Sequence, residues 1–416
     1  MKILIYGLNF TPELTGIGKY TGDMAGYLAG QGHAVRVVTA PPYYPAWRVG
    51  PGYSAWRYRR ETWEGVEVTR SPLYVPRRVS GAKRLLHLAS FSLSSLPPLL
   101  AQAAWKPDLV LAVAPTLFAA PAAALAGRLA GARTWLHIQD FELDAAFNLG
   151  ILRGGRGAYR LSAGLERSIL RGFDRVSAIS NRMVEQLLHK GVNPGRVGLF
   201  PNWADTRQII PQSGPNPLRP AFHLGSGQRV LLYSGNMGAK QGIEILIDLA
   251  ERLKDRAEIQ VVLCGEGAAR QELVERAGGR PNVTFIPLQP LERLNDLLNL
   301  ADIHLLPQRA DAADLVMPSK LIGMLASGRP VIATAAPGTE LYQVVNQAGV
   351  AVPPGDVDAL AGAVRALFAD PTRMERLGRA GRQYAEQHWS REVVLQQFVA
   401  SARRLTGLAG EADGFF

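Results

Sequence analysis

The sequence predicts an α/β protein made of two doubly wound, parallel-sheet domains. Three observations point there. Apolar runs of strand length alternate with helix-length amphipathic stretches along nearly the whole chain, as a parallel sheet covered on both faces requires. The length of 416 residues exceeds one ordinary domain and suits two of roughly 150 to 200 residues. A stretch rich in proline and glycine interrupts the alternation near the middle.

The opening reads as strand KILIYG, a glycine-containing loop LNFTPELTGIGKY, helix TGDMAGYLAGQG and strand HAVRVVTA, a βαβ start. Strand-like runs follow at VEVTRS, DLVLAVAP, TWLHIQ, RVSAIS and VGLFPN, with helical stretches between them. Leu109 to Gly127 lacks charge, but Pro115, Pro121 and its alanine content predict a buried strand and a helix packed on a sheet, not a membrane span. Residues 1–205 therefore form the first domain and 206–227, with four prolines and no long apolar run, a linker. A second alternation fills 228–389: RVLLYSG, helix GIEILIDLAERLKD, IQVVLCGEG, helix ARQELVERAGG, NVTFIPL, helix LERLNDLLNLA, IHLLPQ, a helix near 320, PVIATA and GVAVPPGD. A closing amphipathic helix lies within 390–408.

Composition excludes several classes. An apolar fraction of 47% with 19% charged residues marks an ordered globular chain. The single cysteine, Cys264, excludes an intrachain disulfide framework and a CxxC motif, and reads as a small buried strand-end residue. With no cleavage site after a long apolar region, a signal peptide is rejected and a cytoplasmic protein expected. Residues 1–205 hold 24 Lys and Arg against 13 Asp and Glu, whereas 206–416 hold 22 against 22, so the whole excess of +11 lies in the first half. That half is expected to face something anionic. YSAWRYRRETW (53–63) and VPRRVSGAKRLLHLASFSLSSLPPLL (75–100) interleave aromatics and arginines and then place an apolar segment behind a basic cluster. This fits peripheral contact with an anionic membrane on its inner face, with a solvated loop or nucleic acid as competing uses of the same arginines. No DNA- or RNA-reading motif is present, so no nucleic-acid partner is expected.

In open α/β sheets ligands bind beyond the carboxyl ends of the strands, here in a cleft between two domains. Three loops at such ends in the second domain carry glycine or a polar group: SGNMGAKQG with Gly235, Asn236 and Lys240, CGEG with Gly265 and Glu266, and MPSKL with Pro318, Ser319 and Lys320. Glycines let backbone amides approach an anion, and the lysines add full charges. A lysine opening a helix is electrostatically unfavourable unless an anion is near, and together the loops would hold a diphosphate. In the first domain TGIGKY offers Gly16 and Gly18, but GxGxxG is not matched and VVTAPPYYP replaces the expected acid, which discounts dinucleotide redox chemistry. HIQDFELD places His137 and Asp140 just past an apolar strand, where acid, base or charge-stabilising groups tend to lie, although a polar loop with a structural histidine reads equally well. Asp356 reads as a helix cap, and no metal and no resident cofactor is expected.

TGIGKYTGDMAGYLAGQGHAVRVVTAPPYYP, HIQDFELDAAFNLGIL, FPNWAD, YSGNMGAKQGIE, MPSKLIGMLASGRPVIATAAPGTEL and VPPGDVDALAGAV together resemble glycosyltransferase family 4, the retaining GT-B enzymes, over nearly the whole chain. Within it the chain is similar to the colanic-acid type exopolysaccharide glycosyltransferases of the fucosyltransferase kind. The resemblance implies a nucleotide-sugar donor, GDP-fucose or another GDP- or UDP-sugar, on the second domain, and a lipid-linked or saccharide acceptor on the first. It also implies that helix 390–408 crosses back onto the first domain and that closure assembles the site.

The resemblance puts Lys240 and Lys320 on the donor diphosphate and His137 and Asp140 near the reacting sugar. Gly16, Gly18, Gly235, Asn236, Gly265, Glu266, Leu288, Pro318 and Ser319 are the remaining donor contacts it suggests. Relatives carry two glutamates where this chain has Leu315 and Gly323, so Asp311, Asp314 or Glu340 would substitute. A sugar-nucleotide epimerase or hydrolase on the same fold, and a catalytically silent relative, are the competing readings.

Overall fold

The computed structural model describes residues 1–13, 16–77, 81–114, 117–141, 156–238, 241–310 and 317–408, leaving aside the side chains of 156–162. The chain divides into two compact units: residues 1–201 with 395–416, and residues 202–394.

The first unit carries strands β1 (Lys2–Gly7), β2 (Ala34–Thr39), β3 (Arg59–Trp63), β4 (Val66–Arg70), β5 (Leu109–Ala114), β6 (Arg133–Ile138), β7 (Arg175–Ala178) and β8 (Val197–Leu199). Its helices are α1 (Gly16–Gly30), α2 (Gly81–Ala101), α3 (Ala120–Ala130), α4 (Arg156–Arg171) and α5 (Asn181–His189). The sheet order is β3-β4-β2-β1-β5-β6-β7-β8, parallel throughout except where β3 meets β4. Every residue of β5 is buried, which is why its sequence reads as an unbroken apolar run.

β3 lies inside the stretch expected as an aromatic and basic surface. RRETW has no apolar alternation because, as an edge strand, it leaves Arg59, Arg60 and Thr62 largely to solvent. Its Trp63 instead packs edge-on against Phe10, with ring centroids 5.7 Å apart.

The second unit carries β9 (Arg229–Ser234), β10 (Ile259–Cys264), β11 (Val283–Ile286), β12 (Ile303–Leu306), β13 (Val331–Thr334) and β14 (Val350–Val352), all parallel in the order β11-β10-β9-β12-β13-β14. Helices α6 (Leu218–Ala221), α7 (Glu244–Arg252), α8 (Arg270–Ala277), α9 (Leu294–Leu300), α10 (Lys320–Ala326), α11 (Glu340–Ala348), α12 (Val357–Ala369) and α13 (Pro371–His388) complete it, and α14 (Arg391–Thr406) starts there. Asp356 caps α12, its carboxylate accepting from the Ala359 amide at 2.8 Å. The strand order reverses between β9 and β12, which makes that gap the topological switch point where open sheets bind ligands.

Residues 206–227, expected as a linker, are packed onto the second unit. The Asn299 side chain accepts from the Gln212 amide at 2.8 Å and donates to the Ile210 carbonyl at 2.9 Å, while the Arg382 guanidinium donates to the carbonyls of Thr206, Ile209 and Ala326. Proline and glycine content signals irregular backbone, not freedom, and here side-chain amides and an arginine satisfy it. From Leu395 onward α14 belongs to the first unit, where Phe398 stacks on Phe200 at 5.0 Å and packs at a tilt against Trp135 at 4.9 Å.

Candidate functional site

The switch point of the second unit is built around Tyr233, the penultimate residue of β9, and Lys320, the first of α10. Ser319 precedes the helix without a side-chain cap and its first turn holds no acid, so nothing local offsets a lysine there. The Lys320 side chain turns inward. Its Nζ donates to Tyr233 Oη at 2.9 Å and to Gln241 Oε1 at 3.0 Å, and stands 4.4 Å from the Tyr233 ring centroid. Among the described residues both hydrogen-bond acceptors are uncharged, and burial pushes the ammonium down to about 8. The Tyr233 hydroxyl in turn donates to the Asn236 carbonyl at 2.7 Å, tying the lysine to the loop after β9.

Two glycine loops frame that ammonium. Gly235, Gly265 and Gly267 adopt φ of 144°, 147° and 154°, values L side chains rarely take. A Cβ on Gly265 would overlap the Gly235 carbonyl oxygen, one on Gly267 would overlap the Met237 carbonyl, and one on Gly235 would come within 3.3 Å of Lys320 Nζ. The loops are stitched past the strand ends by Gly235 N–H to Cys264 O at 2.9 Å and Met237 N–H to Glu266 O at 2.8 Å. Cys264 is buried at the end of β10, its thiol donating to the Pro287 carbonyl and pushed up to about 11 by burial.

The residues singled out in the sequence distribute as follows. Gly235, Asn236, Gly265, Glu266, Pro318 and Ser319 lie in the loops around the switch point, and Lys320 opens α10 beside them. Asn236 is exposed, and so is Glu266, which pairs with Arg270 at 3.6 Å. Leu288 is exposed past β11, at the far edge of the same sheet, and Glu340 opens α11 after β13. Lys240, Asp311 and Asp314 lie outside the described residues. Tyr233 and Gln241 were missed: a tyrosine late in an apolar strand carries no sequence signal distinguishing it from core.

In the first unit Gly16 opens α1 with φ 66°, and Gly18 sits where a Cβ would press on Glu13. Glu13 is buried after β1. Its Oε1 accepts from the amides of Tyr43 and Tyr44, both at 3.0 Å, and its Oε2 from Asn9 Nδ2 at 2.9 Å, so it joins the loops that follow β1 and β2. Desolvation pushes its pKa up. Fully buried Arg70 braces the same corner, donating to Glu61 at 2.6 Å, Ala40 O at 2.9 Å and Thr11 O at 2.6 Å.

His137, in β6, is buried, and both ring nitrogens are engaged: Nδ1 with Ser177 Oγ at 3.0 Å and Nε2 with Gln139 Nε2 at 3.0 Å. An amide nitrogen can only donate, so Nε2 accepts and Nδ1 carries the proton. Burial drives its pKa down to about 3, and the ring packs at a tilt against Phe200, centroids 4.6 Å apart. Asp140 is half-buried two residues past the strand.

Two parallel sheets of this kind define a Rossmann-like α/β architecture. Residues 15–203 match the Glycosyl transferase 4-like domain and residues 217–384 match Glycosyl transferases group 1. The chain is 46% identical over 412 residues to WcaI of Escherichia coli (strain K12), named for colanic acid biosynthesis as a glycosyl transferase, covering 97% of this chain and all of that one. Its fold is shared with sucrose-phosphate synthase from Thermosynechococcus elongatus (TM-score 0.74, 19% identity, 98% of this chain and 100% of that one). It is also shared with Anabaena HepE in complex with UDP-glucose (TM-score 0.69, 16% identity, 96% and 99%). The chain belongs to this glycosyltransferase family, and its fold is GT-B. It is a glycosyltransferase.

Proposed function

We propose that the second unit binds a nucleotide-sugar donor with its diphosphate on Lys320 and the amides of the loops at Gly235 and Gly265, and that the sugar passes, with retention, to a lipid-linked or saccharide acceptor in cell-surface polysaccharide synthesis. The observation that carries this is the Lys320 ammonium: an inward-facing cation whose acceptors among the described residues are neutral, at the switch point of a parallel sheet. An arriving diphosphate would supply a countercharge and raise the lysine's proton affinity. Charge on the leaving diphosphate grows as the sugar departs, and a fixed cation there stabilises that change without reorganising.

The GDP- and UDP-sugars, GDP-fucose among them, are the donor candidates. UDP is favoured only in that the structure of HepE holds UDP-glucose, and fucose only through the resemblance to exopolysaccharide glycosyltransferases of the fucosyltransferase kind. Lys240 is the second proposed cation. Asp140 is proposed to orient the acceptor from the end of β6, and His137, with both nitrogens engaged, to hold that loop end in place. No metal is required in this reading. No helix among the described residues is long and apolar enough to cross a membrane.

The test is transfer itself. The enzyme is incubated with GDP- and UDP-sugars and a polyprenyl-diphosphate-linked saccharide, the product mass read by mass spectrometry and its anomeric configuration by NMR. Lys320→Ala is expected to lower turnover about a hundredfold, the typical loss on removing one preorganised charge-stabilising group. Unchanged kinetics in that variant, or sugar release to water at the same rate without acceptor, would contradict the assignment.

A further inference from the structure

The amino ends of β5, β6 and β7 form the edge of the first sheet opposite the loops that hold Glu13 and Asp140, and a concavity of about 860 Å3 opens there. Small-molecule sites run from roughly 300 to 1,000 Å3. β6 is six residues long, so about 20 Å of strand separates this edge from the loop of Asp140.

The concavity is basic. Lys106, Arg128, Arg133, Arg171 and Arg196 line it against two carboxylates, Asp108 and Asp174, an excess of three positive charges. Both carboxylates are engaged within the protein. Asp174 accepts from the Thr134 amide and hydroxyl, both at 2.8 Å, and from Arg133 Nη1 at 3.2 Å, while Asp108 accepts from the Lys2 amide at 2.6 Å. The side chains of Lys106, Arg128 and Arg196 have no hydrogen-bond or ion-pair partner among the described residues, and Arg171 donates to the Gly191 carbonyl at 3.3 Å.

Helix ends explain part of this. Arg128 and Arg171 stand in the last turns of α3 and α4, where a cation complements the terminal carbonyls. The others have no such reason: Arg133 opens β6, and Lys106 and Arg196 follow or close single 3-10 turns, too short to carry much dipole. Lys106 even takes φ of 53°, a left-handed conformation that glycine or asparagine adopts at less cost. Next to Asp174, burial and then the like charge of Arg404 on α14 lower the proton affinity of Arg175, whose buried Nε has no partner among the described residues. Cations gathered on a concave protein surface focus a positive potential into it.

The lining also selects the ligand. Guanidinium groups present paired N–H donors that match phosphate oxygens. The apolar side chains are Pro107, Leu408 and alanines, with no aromatic ring on which a nucleobase would stack. We propose that this groove is a second anion site, separate from Lys320, that takes a compact small molecule bearing two or more phosphates and no nucleobase. Thr406, the last residue of α14, and Leu408 line it too, so the bound anion ties the end of that helix to the amino edge of the sheet and stabilises the first unit. The donor reading above is not needed for this site.

Calorimetry with inorganic pyrophosphate tests it, on full-length Lys320→Ala protein at fixed ionic strength without divalent metal, so that Lys320 contributes nothing. Saturable binding and an upward shift in melting temperature are expected, the affinity falling about tenfold or more when Arg128→Ser and Arg196→Ser are added. Both positions are exposed, so the ligand-free melting temperature should not change. Lys106→Asn, which suits that left-handed backbone, is expected to keep the fold intact and to weaken binding about threefold to tenfold. No saturable binding to the Lys320→Ala protein overturns the proposal, as does an unchanged affinity in both the serine pair and Lys106→Asn. Sulfate binding as tightly as pyrophosphate overturns it as well, since that is charge screening alone. So does displacement of pyrophosphate by equimolar GDP or UDP, which would make the groove a nucleotide site.

Discussion

Lys320 Nζ stands 2.9 Å from Tyr233 Oη and 4.4 Å from the centre of the same ring, so one aromatic residue supplies both a hydrogen-bond acceptor and a π-face to a cation withdrawn from solvent. Among the described residues its hydrogen-bond acceptors are neutral, and burial lowers its proton affinity to about 8.

A first prediction concerns pH. The lysine must be charged to hold a diphosphate, and with a value near 8 in the free protein it is partly neutral under mildly alkaline conditions. Nucleoside diphosphate binding is expected to take up a proton at pH 8 and to weaken as pH rises further, measured by calorimetry in buffers of differing ionisation enthalpy. In Lys320→Met that uptake should vanish. The sign for stability is opposite: the unfolded lysine binds its proton up to its ordinary value of 10.5, so this group makes the free protein more stable as pH rises from about 8 to 10.5.

Gly265→Ala should be among the most damaging single-methyl changes in the second unit. The new Cβ overlaps the Gly235 carbonyl, and φ of 147° adds backbone strain, so a loss of about 3 kcal/mol or more is expected in denaturant unfolding. Gly235→Ala meets only the flexible lysine in space, though its φ of 144° is also unfavourable. It should cost less stability while displacing Lys320, and so weaken nucleotide binding out of proportion to unfolding.

In the first unit Arg70→Ala removes the donor shared by Glu61, Ala40 O and Thr11 O. Leaving a carboxylate and two carbonyls without it should cost about 3–5 kcal/mol by chemical denaturation. Arg70→Lys should recover only part, because a point charge cannot reproduce three fixed directions.

Buried histidines set the acid limit. His137 and His304 are each driven down to about 3 by burial, against an ordinary value of 6.5. Between those values the unfolded chain binds protons that the native state refuses, so both contribute a loss of stability as pH falls from about 6.5 toward 3. The denaturation midpoint should fall over that range, and less steeply in His304→Asn than in wild type.

Much of this architecture was legible in the sequence because buried parallel strands leave continuous apolar runs: β5 and β10 could hardly read otherwise. β3 was not, since an edge strand of sequence RRETW has no buried face to write a pattern. The fold of 206–227 was hidden because its partners lie far along the chain, Asn299 87 residues from Gln212 and Arg382 173 from Ile209. Of the site, the glycines and Lys320 were readable from electrostatics at a helix start. Tyr233 and the burial of His137 depend on tertiary packing and were not.

The most direct measurement is thermal unfolding with GDP, UDP and ADP, each with and without EDTA, on wild type and Lys320→Ala. Native-state binding at a hundredfold excess over the dissociation constant stabilises by ~2.7 kcal/mol. An upward shift with one of these nucleotides is expected in wild type, unaffected by EDTA and lost or much reduced in Lys320→Ala. An equal shift in wild type and Lys320→Ala would contradict the central role of the lysine, as would no shift with any nucleotide.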